Sequence, residues 1–297
     1  MGHSSGACLP GRSSGGSLGR REGEIRSCLT RSVIVQTTAK SDYNRGFYMG
    51  QSAGSLESAR QIVPIVLHLI RPKKVVDVGC GLGTWLSVFA EAGITDYLGV
   101  DGSYVPADML LIPRDRFLAH DLTQPLQLPD RYDLAVSLEV AEHLPASCAE
   151  AFVESLTNLA PVVFFSAAVP FQGGTTHVNE QWPEYWVDQF SRRGYEAVDC
   201  IRRRVWCNPN VCWWYAQNAL LFVRCDLLKD LPELRAEQAE TGKPLALIHP
   251  AYYLQWADLR NVSPDRYLWL STRPILALPA QLVSVARKCM RKLRWRN

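Results

Sequence analysis

Apolar runs of strand length alternate with amphipathic segments of helix length through the middle of the chain. The strand-like runs are KVVDVG, DYLGVDG, RFLAHDL, YDLAVSLE and PVVFFSAAVP. The helix-like segments between and after them are TWLSVFAEAG, ADMLL, SCAEAFVESLTNL and NEQWPEYWVDQFSRRGY. This alternation predicts an α/β fold, with a mainly parallel sheet that carries helices on both faces.

One more helix is predicted ahead of the first strand. Ser55 or Ser58 can cap its amino end, and Pro72 ends it. Its apolar face contains Ile62, Val66, Leu67 and Ile70. These positions recur at the spacing of a single helix face, which favours a helix over a strand.

Two strands are predicted after the last helix, in EAVDCIRRRVW and CWWYAQNALLFVRC. The turn Asn208-Pro209-Asn210 joins them. This connection is too short for a parallel crossover, which needs a dozen or more residues. The pair is therefore expected to form an antiparallel hairpin at one end of the sheet.

The two ends of the chain do not follow this pattern. Residues 1–40 are rich in Gly, Ser and Arg and are expected to be a disordered extension of the domain at 41–225. Residues 226–297 are expected to form a helical C-terminal extension that ends in the basic segment LVSVARKCMRKLRWRN. As an amphipathic helix, that segment could pack one face on the domain or make peripheral contact with an anionic membrane.

Composition limits the class of protein. Hydrophobic residues make up 47% and charged residues 21%, as in globular proteins with a buried core. The net charge of +3 argues neither for nor against a polyanionic partner, and no basic patch with interleaved aromatic residues lies near the motifs, so nucleic acid is an unlikely partner. Nine scattered cysteines do not resemble a disulfide framework, which favours the cytoplasm. No apolar run reaches the roughly eighteen residues of a membrane span, so any membrane contact would be at the inner surface.

A glycine-rich turn follows the first strand, at Gly79-Cys80-Gly81-Leu82-Gly83. Ligands of doubly wound sheets bind outside the carboxyl ends of the strands, where this turn lies. Glycine lets the backbone turn tightly and lets a ligand approach closely. The GxGxG spacing differs from the GxGxxG of dinucleotide-binding folds, which disfavours a nicotinamide oxidoreductase.

Two acidic residues end the second and third strands. Asp101 could accept both hydroxyls of a ribose, and Asp121 could accept an amino proton from an adenine. The alternative is that each aspartate only closes a turn. Their register with the glycine turn favours a nucleoside ligand.

The motifs VVDVGCGLGTW, GVDGS, AHDL and YDLAVSLEVAEHL together resemble those of the class I S-adenosylmethionine-dependent methyltransferases, over about residues 55–225. The resemblance implies a doubly wound, Rossmann-like sheet of seven strands whose last strand is antiparallel. It also implies cofactor contacts. Asp77, Gly79, Cys80, Gly81 and Gly83 would hold the methionine end of S-adenosylmethionine, Asp101 the ribose, and Asp121 with Leu122 the adenine; Glu139 is a further candidate.

An E-x-x-E-H element after the fourth strand, Glu139 to His143, could place two carboxylates and an imidazole on one face of a helical turn. With His177 it is similar to metal sites in ubiquinone-biosynthesis O-methyltransferases and in small-RNA 3′-terminal 2′-O-methyltransferases. That resemblance implies a divalent cation, Mg²⁺, Mn²⁺ or Zn²⁺, held by Glu139, Glu142, His143 and His177. The alternative needs no metal: the glutamate makes structural hydrogen bonds, and His143 lines the pocket or acts as base.

The predicted function is transfer of a methyl group to a hydroxyl of a small molecule or glycan, with Glu142 and His143 as catalytic residues. Asn179, Trp182 and Tyr215 are candidates for lining the acceptor site. Two alternatives remain open: ribose 2′-O-methylation at the 3′ end of a small RNA, and a non-catalytic binding module that keeps the fold. The oligomeric state is left open.

Overall fold

The structure is a computed structural model that describes residues 45–244 and 246–257, with side chains from 53 to 244 and from 246 to 255. The chain divides into two compact units, Met1–Pro244 and Leu245–Asn297. The second unit contains, in its described part, the helix Pro250–Ala257. The predicted disorder of residues 1–40 and the basic C-terminal helix lie outside the described residues.

Seven strands form one sheet in the order β3-β2-β1-β4-β5-β7-β6. Their bounds are β1 Lys74–Val78, β2 Asp96–Asp101, β3 Phe117–Ala119, β4 Leu134–Leu138, β5 Val162–Ser166, β6 Tyr195–Val198 and β7 Leu220–Arg224. The first five strands pair in parallel, whereas β7 is antiparallel to both β5 and β6. The predicted fold class is confirmed.

Helices cover both faces of the sheet. In the first unit they are α1 Arg45–Ile70, α2 Thr84–Glu91, α3 Ala149–Leu159, α4 Pro183–Ser191, α5 Arg202–Val205, α6 Trp213–Asn218, α7 Cys225–Leu228 and α8 Pro232–Thr241. One apolar core lies between the sheet and α1, α2 and α6, and a second lies between the sheet and α3 and α4. Alternate residues of a strand, such as Phe164 and Phe165, belong to different cores because successive side chains point to opposite faces.

The first helix is longer than predicted. It begins at Arg45 and contains Pro64, so neither candidate serine caps its amino end. Ser58 instead donates from Oγ to the carbonyl of Gly54, 2.7 Å away, inside the helix. The predicted end before Pro72 is confirmed, since the helix stops at Ile70. A serine with a local backbone acceptor fits a helix interior as well as a cap, which is why the sequence signal was ambiguous.

The segment ADMLL is a turn and bend, and the helix predicted there is wrong. The amide of Leu111 donates to the carbonyl of Leu82 at 2.8 Å, which ties the segment to the glycine turn. The side chain of Ile112 then packs against Gly83. Tertiary contacts override a weak local preference in such a short segment.

The last two strands pair in antiparallel fashion as predicted, but they do not form a tight hairpin. Strand β6 stops at Val198, and α5 and α6 lie between β6 and β7. The segment WWYAQN, predicted as strand, is α6. Its Tyr215 packs edge-on against Trp85 with ring centroids 5.1 Å apart. Aromatic residues favour strands only when the pleated surface is where they pack, and here the helix buries them instead.

The first compact unit runs to Pro244, and α7 and α8 belong to it. Leu234 of α8 is fully buried in the core that includes α1 and α2. Glu237 accepts hydrogen bonds from Arg203 and Arg204. Among the helices of the described ranges, none is both long and apolar enough to cross a membrane.

Candidate active site

The glycine turn runs from the end of β1 into α2. The amides of Gly79 and Cys80 donate to the carbonyl of Val100 at 2.7 and 3.2 Å, so the turn folds over the end of β2. Gly79, Gly81 and Gly83 have φ angles of 89°, 52° and 78°. These left-handed angles strain any residue with a Cβ, which explains the glycines directly.

Protein neighbours also crowd two of these glycines. A Cβ on Gly79 would lie 2.3 Å from Cγ2 of Val140, and one on Gly83 would lie 2.8 Å from Cγ1 of Ile112. At Gly79 and Gly83, side chains of the protein itself, and no ligand, fill the space that a Cβ would need. At the centre of the turn, the Gly81 amide donates to Asp101 Oδ2 at 2.7 Å.

Asp101 ends β2 and is 5% exposed. Besides the bond from Gly81, its Oδ1 accepts from the Gly102 amide at 2.6 Å and from the Tyr104 hydroxyl at 2.8 Å. Burial raises the pKa of the carboxyl group, and these hydrogen bonds oppose that rise. The bonds fix the carboxyl group at the carboxyl edge of the sheet, beside the turn.

Asp77 and Cys80 are buried next to Asp101. Asp77 lies in β1 and is 2% exposed; burial, followed by repulsion from Asp101, raises its pKa well above the usual value. Burial likewise raises the pKa of the Cys80 thiol. A protonated thiol is neither a nucleophile nor a metal ligand, so Cys80 contributes packing to the turn.

Asp121 and Leu122 follow β3 at the same edge of the sheet. Asp121 is exposed, and its Oδ1 accepts from the amide and hydroxyl of Thr123 at 3.0 and 2.7 Å. This is the turn-closing arrangement foreseen as the alternative role. Leu122 is half-buried against the core that includes α3 and α4.

Glu139 does not lie on a helical turn with Glu142 and His143. Its φ angle is 56°, and the 3₁₀ turn begins only at Ala141. Its carboxyl group accepts from the side-chain amides of Gln172 at 2.9 Å and Asn218 at 3.1 Å. With this left-handed backbone, Glu139 is bonded to the two amides and does not share a helical face with Glu142 and His143.

Glu142 is fully buried, and no hydrogen bond of normal geometry reaches either carboxyl oxygen. Burial raises the pKa of this carboxyl group well above its usual range, and the nearby charge of Glu139 adds to the rise; the backbone amides of Glu142 and Ala168 lie near enough to oppose it, without the geometry of a hydrogen bond. A buried carboxyl group without a partner is costly, by about 1–3 kcal/mol or more. Such a group is typical of a site that a ligand completes.

His143 and His177 lie beside Glu142, with their rings edge to face and centroids 4.8 Å apart. His143 Nδ1 is 3.2 Å from Thr176 Oγ1. Burial, with repulsion from His177, lowers the pKa of His143 to about 4. The imidazole of His143 is therefore neutral at physiological pH.

The donor atoms of Glu142, His143 and His177 all lie within 4.8 Å of one another. One carboxylate oxygen and two imidazole nitrogens form a donor set suited to Zn²⁺, Mn²⁺ or a similar divalent cation. Glu139, the fourth ligand implied by the sequence resemblance, is not part of this group.

The cluster adjoins the glycine turn, because Val140, which packs against Gly79, immediately precedes the turn that carries Glu142.

The three acceptor candidates are placed differently. Asn179 and Tyr215 are buried, and Tyr215 shares a hydrogen bond of 3.0 Å with Ser55. Trp182, at the amino end of α4, is 41% exposed. Of the three, Trp182 alone presents much surface to a ligand.

Sequence analysis missed several polar residues at this edge, which are Gln172, Thr176, Glu180, Gln217 and Asn218. The amides of Gln172 and Asn218 hold Glu139, and Glu180 accepts a hydrogen bond from His177 at 3.0 Å. Only Glu180 carried a local signal, since it lies three residues after His177 in HVNE. The amides are remote in sequence from Glu139 and could not have been paired with it from the sequence.

Residues 56–199 match a family described as "Methyltransferase domain". The match contains the glycine turn, Asp101 and the cluster of Glu142, His143 and His177. The match and the seven-stranded sheet order agree with the resemblance of the sequence motifs to methyltransferases.

Solved structures with a similar fold include an amino pentose methyltransferase from Micromonospora echinaspora with S-adenosylmethionine bound, 15% identical, covering 61% of this chain and 98% of that one, TM-score 0.45. Magnesium protoporphyrin IX methyltransferase from Synechocystis PCC 6803 is 16% identical, covering 68% and 99%, TM-score 0.43. The methyltransferase domain of bacterial CtHen1 is 22% identical, covering 57% and 97%, TM-score 0.43. These similarities carry no argument about the acceptor. A search of curated proteins found no match.

Proposed function

We propose that this protein transfers the methyl group of S-adenosylmethionine to a hydroxyl group of a small molecule or glycan. The observation that carries the proposal is Glu142, a buried carboxyl group without a hydrogen-bond partner, set beside His143 and His177 next to the glycine turn. A methyl acceptor with a hydroxyl group must lose a proton, and this cluster supplies the groups that can take part in its removal.

The cofactor half of the site is formed by the first two strands. In the proposal, the glycine turn and Asp77 receive the methionine end, where the positive amino and sulfonium groups offset the buried carboxylates. Asp101 receives the ribose through oxygens that already accept bonds from Gly81 and Gly102. Oδ1 of Asp121 already accepts hydrogen bonds from Thr123. Asp121 would therefore contact the adenine only through the exposed part of its carboxyl group.

The chemistry is an in-line displacement. The acceptor oxygen forms a bond to the methyl carbon, the bond from that carbon to sulfur breaks with its electrons left on sulfur, and the hydroxyl proton goes to a base. Alignment and exclusion of water contribute most of the rate enhancement in such a reaction. His143 is the base candidate because its imidazole is neutral and lies beside Glu142; burial lowers its pKa and makes it a weaker base than a free imidazole.

Glu142, His143 and His177 fit a divalent cation, because the unpartnered carboxyl group and two imidazoles are a complete set of protein donors. When bound, a cation would supply Lewis-acid chemistry that lowers the pKa of a coordinated hydroxyl group. Glu139 is left out of the donor set and instead fixes Gln172 and Asn218 at the edge of the site.

The test is to incubate the full chain with methyl-tritiated S-adenosylmethionine and a metabolite extract, and to identify the labelled product. The proposal expects an O-methyl ether on a small molecule or sugar. Label on the 3′-terminal ribose of small RNA added in a parallel reaction would favour the RNA alternative. Label on nitrogen or carbon alone would contradict the proposal.

The cation is tested separately. EDTA is expected to abolish label transfer, and Zn²⁺ or Mn²⁺ to restore it; full activity in chelator would remove the cation from the mechanism. Glu142→Gln should lose at least tenfold in activity, because it removes the central carboxylate. Glu184→Gln, an exposed change on α4, is the matched control and should be silent.

A further inference from the structure

A loop between β5 and α4 carries His177, and one carboxyl group closes it. Glu180 accepts from the amide of Phe171 through Oε2 and from the amide of Gly173 through Oε1, both at 2.7 Å. The same Oε1 lies 3.0 Å from His177 Nδ1. Three donors thus converge on Glu180, and two of them come from the main chain.

These bonds decide which nitrogen of His177 carries a proton. A carboxylate that receives two amide N–H groups is an acceptor, so Nδ1 of His177 must be the donor of the third bond. In a neutral imidazole, Nε2 is then the nitrogen with a lone pair. Among the residues with described side chains, no hydrogen bond to Nε2 is found.

The loop backbone is shaped for this arrangement. Phe171 and Thr176 have left-handed φ angles of 70° and 60°, and Gly173 has 69°. Non-glycine residues in that region cost of order 1 kcal/mol or more each and persist where the surroundings fix them. A Cβ on Gly174 would lie 2.3 Å from His177 Nε2, so only glycine at this position leaves room for the His177 ring.

We infer that Glu180 is a positioning residue that locks His177 in the Nδ1–H tautomer and presents Nε2 to the cluster with Glu142 and His143. The tautomer of His177 does not depend on the proposed function. Only the role of Nε2, as a cation ligand or a proton acceptor, rests on that function. A carboxylate behind a liganding histidine typically contributes 10–100-fold to metal affinity. Glu180 would do so without touching the acceptor or the methyl group.

The tautomer can be observed directly, without cofactor, cation or activity. The full chain is labelled with ¹⁵N-histidine, long-range ¹H–¹⁵N spectra are recorded at neutral pH, and the signals of His177 are identified by their loss in His177→Gln. The expected result is a proton on Nδ1 and none on Nε2. A proton on Nε2, alone or together with Nδ1, would overturn the inference.

Glu180→Gln tests the cause. Its amide can donate to Nδ1, so the ring is expected to shift to the Nε2–H form, while the amide signals of Phe171 and Gly173 report whether the loop stays folded. Glu184→Gln is the control and should keep the Nδ1–H form. A Glu180→Gln protein that also keeps it would show that Glu180 does not set the tautomer.

A Zn²⁺ titration then separates this inference from the proposed function. Glu180→Gln is expected to weaken Zn²⁺ binding by 10–100-fold, and equal affinity in both proteins would contradict a role for Glu180 behind the ligand. If the unaltered protein binds no Zn²⁺, the proposed cation site fails, while the tautomer measurement still decides the role of Glu180.

Discussion

Asp77 and Glu142 are buried carboxyl groups that make no ion pair within the described part of the chain. The first lies under the glycine turn and the second beside the two histidines. Both have a pKa well above the usual value because burial disfavours the charged form. Side chains placed in this way lower the stability of the unliganded protein and are typical of functional sites, and these two lie in the two halves of the proposed site.

The pH dependence of Asp77 follows from the direction of its shift. In the unfolded chain its pKa is near the usual 3.8, and folding raises it. Between the two values the folded state binds more protons than the unfolded state, so this residue makes stability fall as pH rises through that window. Above the raised pKa, the full stability penalty of the charged Asp77 is present and no longer changes with pH.

Asp77→Asn should therefore raise the thermal midpoint of the unliganded protein at neutral pH and flatten this part of its pH dependence. The same change should weaken S-adenosylmethionine at least tenfold, because it removes a negative charge from the proposed methionine pocket. Scanning calorimetry and isothermal titration measure the two effects. Asp188→Asn, an exposed control on α4, should change neither. A lower midpoint with unchanged affinity would contradict the role given to Asp77.

A second prediction concerns Tyr104, whose hydroxyl contacts the proposed ribose-binding carboxylate. Its hydroxyl and the Gly102 amide both donate to Oδ1 of Asp101. A ribose held through both carboxylate oxygens would have to replace the tyrosine hydroxyl. Tyr104→Phe should then bind S-adenosylmethionine at least as tightly as the unaltered protein, and Asp101→Ala at least tenfold more weakly. A tenfold loss in Tyr104→Phe would show that the hydroxyl supports binding instead.

At the scale of elements, the glycine turn depends on both backbone angle and space. Gly93 has φ 100° with nothing near its missing Cβ, whereas Gly79 has φ 89° and faces Val140. Gly93→Ala should cost about 1–2 kcal/mol from its left-handed backbone. Gly79→Ala should cost a further 1–3 kcal/mol or so from overpacking. Denaturant titration measures both.

Val140→Ala provides the check on that difference. Combined with Gly79→Ala, it should recover part of the extra loss, because the clash is with the Val140 side chain. If the two changes are simply additive, the crowding does not explain the cost.

The elements that the sequence predicts well are the ones with repeated, local signals. Strands β1 to β5 are apolar runs bounded by turns, and their alternation with helices determines a parallel arrangement. The short segments ADMLL and WWYAQN were assigned wrongly because their partners, Leu82 and Trp85, are distant in sequence. The outcome there depends on tertiary packing, which local patterns do not contain.

The same limit applies to the site. The glycine turn and Asp101 lie at strand ends, where topology alone brings them together. Glu139 seemed part of a helical E-x-x-E-H face, yet its partners Gln172 and Asn218 are 33 and 79 residues away and its backbone is left-handed. No spacing rule applied to the sequence gives that angle.

At the scale of the whole molecule, the first unit needs α8. Leu234 is buried in the core that includes α1, and Glu237 and Glu240 hold Arg203 and Arg204. A chain ending at Pro244 should unfold at nearly the temperature of the full chain, whereas one ending at Cys225 should be much less stable. Leu234→Ala alone should cost about 2–5 kcal/mol. Equal stability of both shortened chains would place the boundary at residue 225.

The central claim is that the ends of the first strands form a pocket for S-adenosylmethionine. The most direct test is calorimetric titration of the full chain with S-adenosylmethionine and, separately, with NADH. The account predicts saturable binding of S-adenosylmethionine, weakened at least tenfold in Asp101→Ala, and no binding of NADH. Binding of NADH with none of S-adenosylmethionine would contradict it.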